Sequence, residues 1–235
     1  MTALVVITGL AAEARIARTP GVATLVGAGR SDRLAAEIET AIGGGARRLL
    51  SFGVAGALAP HLEPGDLVVG RALIDGARRA PCDAGWSAAM MERLRRSARK
   101  DRPPLRTFLA DVSGADAPIA DPIVKAALHA TTGAAAVDME SALVARAAER
   151  HRLPFAILRA IADPAHRALP PAALAAMRAD GAIDVAAVLR ALGRQPRQLP
   201  ALIRLALDSR KAFGALMRAR ALLGADFASL DLGEL

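Results

Sequence analysis

The sequence AAAVDMESA at residues 134–142 runs from small and branched apolar side chains into two carboxylates that flank a methionine. The residues that follow place apolar and charged side chains at the spacing of an amphipathic helix. The stretch therefore predicts a buried strand that ends at Val137 and a helix that begins near Ser141. Carboxylates at the carboxyl end of a strand in an open α/β sheet lie in the crevice where such sheets bind ligands. Helix capping is the alternative explanation, because acidic residues at a helix amino end stabilise it by about 0.3–1 kcal/mol.

Strand-like and helix-like segments alternate on both sides of this stretch. Residues 155–162 form an apolar run broken only by Arg159, which is typical of a buried parallel strand, and the run ends at Asp163. Two segments of small residues, 27–29 and 53–57, are predicted as loops at strand ends, where a ligand can approach the backbone closely. Further strands are predicted at residues 4–8, 22–26, 48–52, 67–74 and 106–112, and further helices at 11–17, 33–42, 83–100 and 121–129. This order predicts an α/β fold with a mainly parallel sheet between layers of helices.

The composition predicts one main domain with a helical tail. The chain has 235 residues, 53% of them hydrophobic, which is enough for one substantial core. We expect this domain at residues 1–192 and a basic amphipathic tail at 193–235, with helices at 182–192 and 199–223. A single cysteine, Cys82, excludes an internal disulfide and fits a reducing compartment. The start lacks the pattern of a signal peptide, and no apolar run approaches the ~20 residues of a spanning helix. We therefore expect a cytoplasmic protein, or one peripheral to the inner membrane face.

The formal charge of +8 and the pI near 11.1 suggest an anionic partner, either nucleic acid or an acidic lipid surface. Most of the basic residues are arginines. A GC-rich coding bias also enriches a protein in arginine, whether or not the protein has an anionic partner. No aromatic residues alternate with the basic ones to stack on bases, so we do not expect nucleic-acid binding. The four histidines do not pair at the spacing of metal ligands, so we expect no metal and no cofactor.

Several motifs, in this order, resemble the purine nucleoside phosphorylase and nucleosidase family over roughly residues 1–192. They are a glycine and a glutamate near the start, GAGR at 27–30, SFGVAGAL at 51–58, PGD at 64–66, VSG at 112–114, VDME at 137–140 and RAIAD at 159–163. The chain looks most like the hopanoid-associated branch, proposed to remove adenine from adenosylhopane. The resemblance implies the single-domain α/β phosphorylase/nucleosidase fold, with a mixed, mainly parallel sheet flanked by helices and a basic helical extension at the carboxyl end.

The resemblance also implies the roles of the site residues. Glu140 would hold the ribose 2′ and 3′ hydroxyls, Met139 would pack against the sugar, and Asp163 would be the general acid at purine N7. Protonating the leaving base contributes about 10²–10⁴ to the rate, and a carboxylate beside the sugar stabilises the positive charge that develops there. The remaining implied substrate-binding residues are Asp138, Gly53, Val54, Ala55, Ser113, Gly114 and Pro118.

The departures from the family pattern favour hydrolysis over phosphorolysis. Glu13 stands where the phosphorylase branch has a phosphate-binding arginine, and Ser51 stands in place of a second such arginine. A carboxylate repels a phosphate dianion, and nucleosidases keep at this place the base that activates water. Gly9, Arg15 and Arg30 are nearby candidates that would restore phosphate binding, so a phosphate-dependent reaction yielding ribose 1-phosphate is the alternative.

Two further departures concern the substrate. Pro118 stands where nucleosidases have the phenylalanine that stacks on adenine, and the segment between Ile74 and Trp86 is shorter than the loop that usually closes over the nucleoside 5′ side. An open 5′ side suits a nucleoside with a bulky apolar group. The resemblance to the hopanoid-associated branch implies that this substrate is adenosylhopane, with release of adenine to give ribosylhopane in hopanoid biosynthesis. The tail would lie on an anionic membrane surface or would be an ordinary packing or dimer helix. We expect a homodimer, and a lipid-nucleoside-binding protein without activity is the alternative from another class.

Overall fold

An eight-stranded mixed sheet forms the centre of the molecule in the computed structural model, which describes residues 3–27, 29–96, 105–174 and 184–229. Its strands are β1 (Leu4–Thr8), β2 (Ala23–Val26), β3 (Arg48–Ala57), β4 (Leu67–Asp75), β5 (Arg78–Pro81), β6 (Thr107–Gly114), β7 (Ala136–Asp138) and β8 (Phe155–Asp163). The expected α/β class with a mainly parallel sheet is confirmed. Parallel pairs join β1 to β2 and β3, β3 to β8, β4 to β6 and β6 to β7.

Strands β3 and β8 form the middle of the sheet. All nine residues of β8 are buried, as expected for a parallel strand covered on both faces. The antiparallel pairs are β3 with β7, β4 with β5 and β4 with β8. As a result, β1, β7 and β8 all end beside residues 51–57 of β3.

The predicted loop at residues 53–57 is wrong, because β3 continues to Ala57. Its second half stays in register with β8, with Gly53 opposite Arg159 and Gly56 opposite Asp163. The small residues there leave space for side chains from elsewhere in the chain, so they do not interrupt the strand. Strand β5 was not predicted, because a four-residue hairpin strand that contains two arginines lacks an apolar pattern.

Helices cover both faces of the sheet. They are α1 (Ala11–Ala17), α2 (Ser31–Gly43), α3 (Ala84–Arg96), α4 (Pro122–Thr132), α5 (Ser141–His151), α6 (Pro171–Leu174), α7 (Val185–Arg194) and α8 (Leu199–Leu223). One apolar core contains residues of α2 and α5, and a second contains residues of α1, α3 and α8. Parts of the predictions, at Ala28 and at residues 97–100, 182–183 and 230–235, lie outside the described residues.

Helix α8 packs its second half on the domain. Ala212, Leu216 and Leu223 are fully buried in the second core, while Leu199, Ile203 and Leu207 in the first half are exposed. Helix α8 thus has one face in the core and an apolar stretch that remains on the surface. None of the described helices has the length and hydropathy needed to cross a bilayer.

Candidate active site

Glu13, in the first turn of α1, is fixed by three backbone donors. Its Oε2 accepts hydrogen bonds from the N–H groups of Gly9 and Leu10, and its Oε1 accepts one from the N–H of Val54, each at 2.8 Å. The residue is only 1% exposed. Because Gly9 follows β1 and Val54 lies in β3, the carboxylate is held between the two strands.

Arg159 of β8 is the cation beside Glu13, and it is fully buried. Its Nε lies 2.8 Å from Oδ2 of Asp138, and its Nη2 lies 3.5 Å from Oε2 of Glu140. Nη2 also donates a hydrogen bond of 2.6 Å to the hydroxyl of Ser51. A buried guanidinium is tolerated when carboxylates and hydroxyls compensate it in this way.

Asp138, the last residue of β7, is hydrogen-bonded to the start of α5. Its Oδ1 accepts hydrogen bonds from the N–H groups of Glu140 at 2.9 Å and Ser141 at 2.7 Å, and its Oδ2 accepts one from the Ser141 hydroxyl at 2.6 Å. The Asp138 side chain is 1% exposed. Asp138 therefore holds the start of α5 and the guanidinium of Arg159.

Glu140 reaches from the start of α5 back to the ends of β1 and β2. A Cβ atom on Gly9 would lie 2.6 Å from Oε1 of Glu140, and one on Gly27 would lie 3.3 Å from its Cγ. Glycine at these two positions therefore makes room for the carboxylate. Glu140 and Glu13 are consequently brought together around Gly9.

The glycines of β3 make room for the other acidic residues. A Cβ atom on Gly53 would lie 2.6 Å from Cδ of Glu13 and 2.7 Å from Nη1 of Arg159. A Cβ atom on Gly56 would lie 3.3 Å from both carboxylate oxygens of Asp163. Gly53 thus leaves space on β3 beside Glu13 and Arg159, and Gly56 leaves space beside Asp163.

Asp163, at the end of β8, is paired with Lys125 of α4. The Nζ of Lys125 donates a hydrogen bond to Oδ2 of Asp163, and it also donates to the carbonyls of Pro164 at 3.1 Å and Arg167 at 3.3 Å. Lys125 is fully buried, and the Asp163 side chain is 12% exposed. The site therefore contains two ionic groups, one around Arg159 and one around Lys125.

Burial raises the pKa of Glu13, Glu140 and Asp163. It raises the pKa of Glu13 and Glu140 against the attraction of Arg159, and it raises that of Asp163 against the attraction of Lys125. The pKa of Glu140 rises to about 7, because neighbouring carboxylates add to the effect of burial. Acids and bases with pKa values near the working pH are the most effective in proton transfer.

A shallow surface pocket adjoins Glu140. It is lined by residues from the segment between β2 and α2, among them Arg30, and by Met139 and Leu143. Met139 is half-buried and Arg30 is exposed. Arg15, the other arginine considered for phosphate, is exposed on α1.

The remaining expected site residues lie at different depths. Ala55 is buried in the core, while Ser113 and Gly114 pair with Val137 and Asp138 across β6 and β7. A Cβ atom on Gly114 would lie 2.8 Å from the Cβ of Ala142, so this glycine allows α5 to approach the sheet. Pro118 is exposed in the segment between β6 and α4.

Two residues important to this geometry were not singled out in the sequence. Lys125 is an isolated lysine in an amphipathic helix and looks like a surface residue there. One feature of the sequence could have drawn attention to it, namely that lysine is rare in this chain. Of its 31 basic residues, three are lysines: Lys100, Lys125 and Lys211. Ser141 was read as the start of a helix, yet its hydroxyl also contacts that of Ser51 at 2.9 Å.

Among the described side chains, no group of three or more histidine, cysteine, aspartate or glutamate residues is arranged to hold a metal ion. The buried carboxylates contact Arg159, Lys125 and backbone N–H groups. The chemistry available to the described site is thus that of carboxylates, an ammonium group and a guanidinium group.

Residues 3–194 match the Phosphorylase superfamily, so the chain belongs to that superfamily and is an enzyme of the nucleosidase and phosphorylase kind. Comparison with curated proteins finds none that matches. Among solved structures, the chain is similar to a 5′-methylthioadenosine/S-adenosylhomocysteine nucleosidase of Helicobacter pylori bound to butyl-thio-DADMe-Immucillin-A. That pair has a TM-score of 0.61 and 15% identity over 93% of this chain and 97% of the other.

Two more solved structures have the same fold. The futalosine hydrolase of H. pylori gives a TM-score of 0.60 at 16% identity, covering 93% of this chain and 96% of that one. A nucleosidase of S. pneumoniae with the inhibitor MT-ImmA gives 0.60 at 17% identity, covering 94% and 99%. At these identities the likeness concerns the fold, and the substrate has to be argued from the site.

Proposed function

We propose that the chain hydrolyses the N-glycosidic bond of a purine nucleoside that carries a bulky apolar 5′ group, releasing adenine from adenosylhopane to give ribosylhopane. The observation that carries the proposal is that the carboxylates of Glu140, Glu13 and Asp163 each lie beside a glycine, namely Gly9 after β1 and Gly53 and Gly56 in β3. Nucleosidases of similar fold are named for adenosine-type substrates, which agrees with a purine nucleoside here.

Each acidic residue has a separate role in the proposed reaction. Asp163 protonates N7 of the base as the bond breaks, Glu140 binds the ribose hydroxyls, and Glu13 takes a proton from the attacking water. The sugar becomes positively charged in the transition state, and carboxylates held in a water-poor site stabilise such charge strongly. Burial raises the pKa of Asp163, which favours the protonated form that the reaction requires.

The charges around the sugar position favour water over phosphate as the nucleophile. Arg159 is in contact with Asp138 and Glu140 and lies near Glu13, so three carboxylates face one guanidinium. When all three are ionised they outnumber the guanidinium, and the group then repels a phosphate dianion. The exposed arginines at positions 15 and 30 are the candidates for phosphate binding if the reaction is phosphorolytic.

The substrate's apolar group would be met at a membrane surface. The exposed residues Leu199, Ile203 and Leu207 lie at helical spacing along α8, next to the exposed Arg204 and Arg210. An apolar face flanked by arginines binds the interface of a bilayer that contains anionic lipids. This supports a peripheral location for the protein on the inner membrane face.

The test is the release of free adenine, measured by chromatography after incubation with adenosylhopane or 5′-methylthioadenosine, with and without phosphate. We expect release in both buffers, and loss of release in Asp163→Asn and Glu13→Gln. Glu92→Gln, an exposed glutamate paired with Arg96, is the control that should keep full activity. Release only with phosphate would establish the phosphorylase alternative, and substrate binding without release would establish a binding protein.

The membrane part is tested by sedimentation with vesicles of phosphatidylglycerol and of phosphatidylcholine. We expect binding to the anionic vesicles only, and its loss in Ile203→Glu. Ile123→Glu changes an exposed isoleucine of α4 and should have no effect. Sedimentation equilibrium tests the expected homodimer. If the original chain forms a dimer but does not bind vesicles, and Ile203→Glu is a monomer, then this face of α8 binds a second copy of the chain and not a membrane.

A further inference from the structure

Lys125 is a fully buried cation that contacts Asp163. Its three ammonium protons match three acceptors, namely Oδ2 of Asp163 and the carbonyl oxygens of Pro164 and Arg167. Those acceptors belong to the end of β8 and the segment after it, while Lys125 belongs to α4. A fully buried ammonium group with all its donors satisfied stays in one place.

We propose that Lys125 is a positioning residue that orients Asp163 and sets its acidity in the release of the purine base. This inference rests on the proposed function, in which Asp163 protonates the base. Lys125 holds Oδ2, and no donor from the described residues reaches Oδ1. Oδ1 is therefore the oxygen available to N7 of the substrate.

The proton and electron balance of the step shows why a cation is needed there. Asp163 gives its proton to N7, the electron pair of the C–N bond passes to the base, and water attacks the sugar carbon and loses a proton to Glu13. Asp163 is left as a carboxylate, which Lys125 stabilises. A proton then moves from Glu13 to Asp163 through solvent, which restores both groups.

Burial and the ammonium group act on Asp163 in opposite directions. Burial raises the pKa of Asp163, and the charges of Lys125 and Arg167 lower it. The carboxylate of Asp208 in α8 raises it further. Asp208 is in turn paired with Arg167 and lies 3.6 Å from Nζ of Lys211. Because Lys125 is the nearest cation, its removal would leave a carboxyl group that is protonated at higher pH and is a weaker acid.

The residue type supports this role. Lysine presents a compact ammonium group, whereas the guanidinium of arginine is larger and planar. The sequence uses lysine at three of its 31 basic positions, and one of these is at the buried site beside the proposed acid. An arginine there would keep the charge but would carry it on the larger, planar group.

The experiment measures kcat/KM for adenine release against pH in the original chain, Lys125→Met and Lys125→Arg. The alkaline limb of this profile reports the general acid. An opposite charge at this range lowers a carboxyl pKa by about 1–3 units, so we expect the limb of Lys125→Met to move upward by about that much. We expect its maximal rate to fall by about 10–100-fold, because the acid is weaker. Lys125→Arg should keep the limb near its original pH, and Arg96→Met, which removes an exposed cation of α3, should change neither quantity.

A lower rate with an unmoved alkaline limb in Lys125→Met would overturn the proposal, since it would mean that Lys125 only supports the fold. Thermal melting checks that the variants are folded, and Lys125→Gln replaces Lys125→Met if the latter is not. Carbon-13 NMR of labelled aspartate carboxyls, with Asp163→Asn for assignment, measures the Asp163 titration without turnover. If the original chain releases no adenine, the proposed function fails, while the NMR titration still decides whether Lys125 sets the acidity of Asp163.

Discussion

Replacing Glu140 with glutamine should make the protein more stable at alkaline pH while removing its activity. The folded state raises the pKa of Glu140 from the ordinary value of 4.5 to about 7, chiefly by burial. Between these two values the native state binds more protons than the unfolded chain, so the free energy of unfolding falls as the pH rises. Integrated between about pH 5 and about pH 8, this single group accounts for a fall of about 2–3 kcal/mol.

Glutamine has a similar shape and does not titrate, so Glu140→Gln removes this fall. Urea denaturation at about pH 5, 6, 7 and 8 gives the free energy of unfolding of both proteins. The free energy of unfolding of the variant minus that of the original chain should increase by about 2–3 kcal/mol between about pH 5 and about pH 8. Comparing this difference between pH values cancels the effects of the substitution that do not depend on pH.

Glu92→Gln is the matched control, because Glu92 is exposed on α3 and lies at a distance from the site in the structure. Its stability should follow that of the original chain at every pH. Parallel curves for Glu140→Gln and the original chain would refute the reasoning, because they would mean that Glu140 titrates in the folded state as it does in water.

Two further substitutions test the packing of the site. Gly53→Ala places a methyl group 2.6 Å from Cδ of Glu13, so it should displace the carboxylate and lower adenine release by about 10²-fold with the fold retained, as checked by circular dichroism. Arg159→Met leaves Asp138 buried without its cation and should destabilise the protein by about 3–5 kcal/mol in urea denaturation. Arg146→Met, which removes a partly exposed ion pair, should cost no more than about 1 kcal/mol and serves as its control.

The local pattern was sufficient to predict most of the fold. The apolar run at 155–162 became β8, and the cap at Asp121 begins α4, where its carboxylate accepts a hydrogen bond of 2.8 Å from the N–H of Ile123. The prediction of a loop at 53–57 is wrong because glycine and alanine are typical of loops. In β3, Gly53 and Gly56 instead make room for side chains that are distant in the sequence. Such a reason cannot be found from the segment alone.

The candidate site was predictable where residues of one motif stay together. Asp138 and Glu140 are two residues apart in the sequence, and the expectation that they lie at a strand end agrees with Asp138 as the last residue of β7 and Glu140 two residues beyond it. The side chain of Asp138 is more deeply buried than that of Glu140. The sequence does not predict this difference, because it depends on the contacts of Asp138 with Arg159 and Ser141. The partner of Asp163 was also missed, since Lys125 is 38 residues away and comes from a different element.

In the proposed reaction, the separation of the site into two ionic groups would let one small region stabilise two opposite charge changes. Around Arg159, the three carboxylates Glu13, Asp138 and Glu140 outnumber the cation, which suits a sugar that becomes positive. Around Asp163, one lysine balances one carboxyl, which suits a base that becomes negative and must receive a proton. Gly53 of β3 lies beside the first group and Gly56 beside Asp163, so in the proposed reaction the bond that breaks would lie along this strand, with its sugar near Gly53 and its base near Gly56. If that arrangement is correct, neutralising Glu13 or Glu140 weakens binding of a cationic ribose mimic more than binding of adenine, and Asp163→Asn does the reverse.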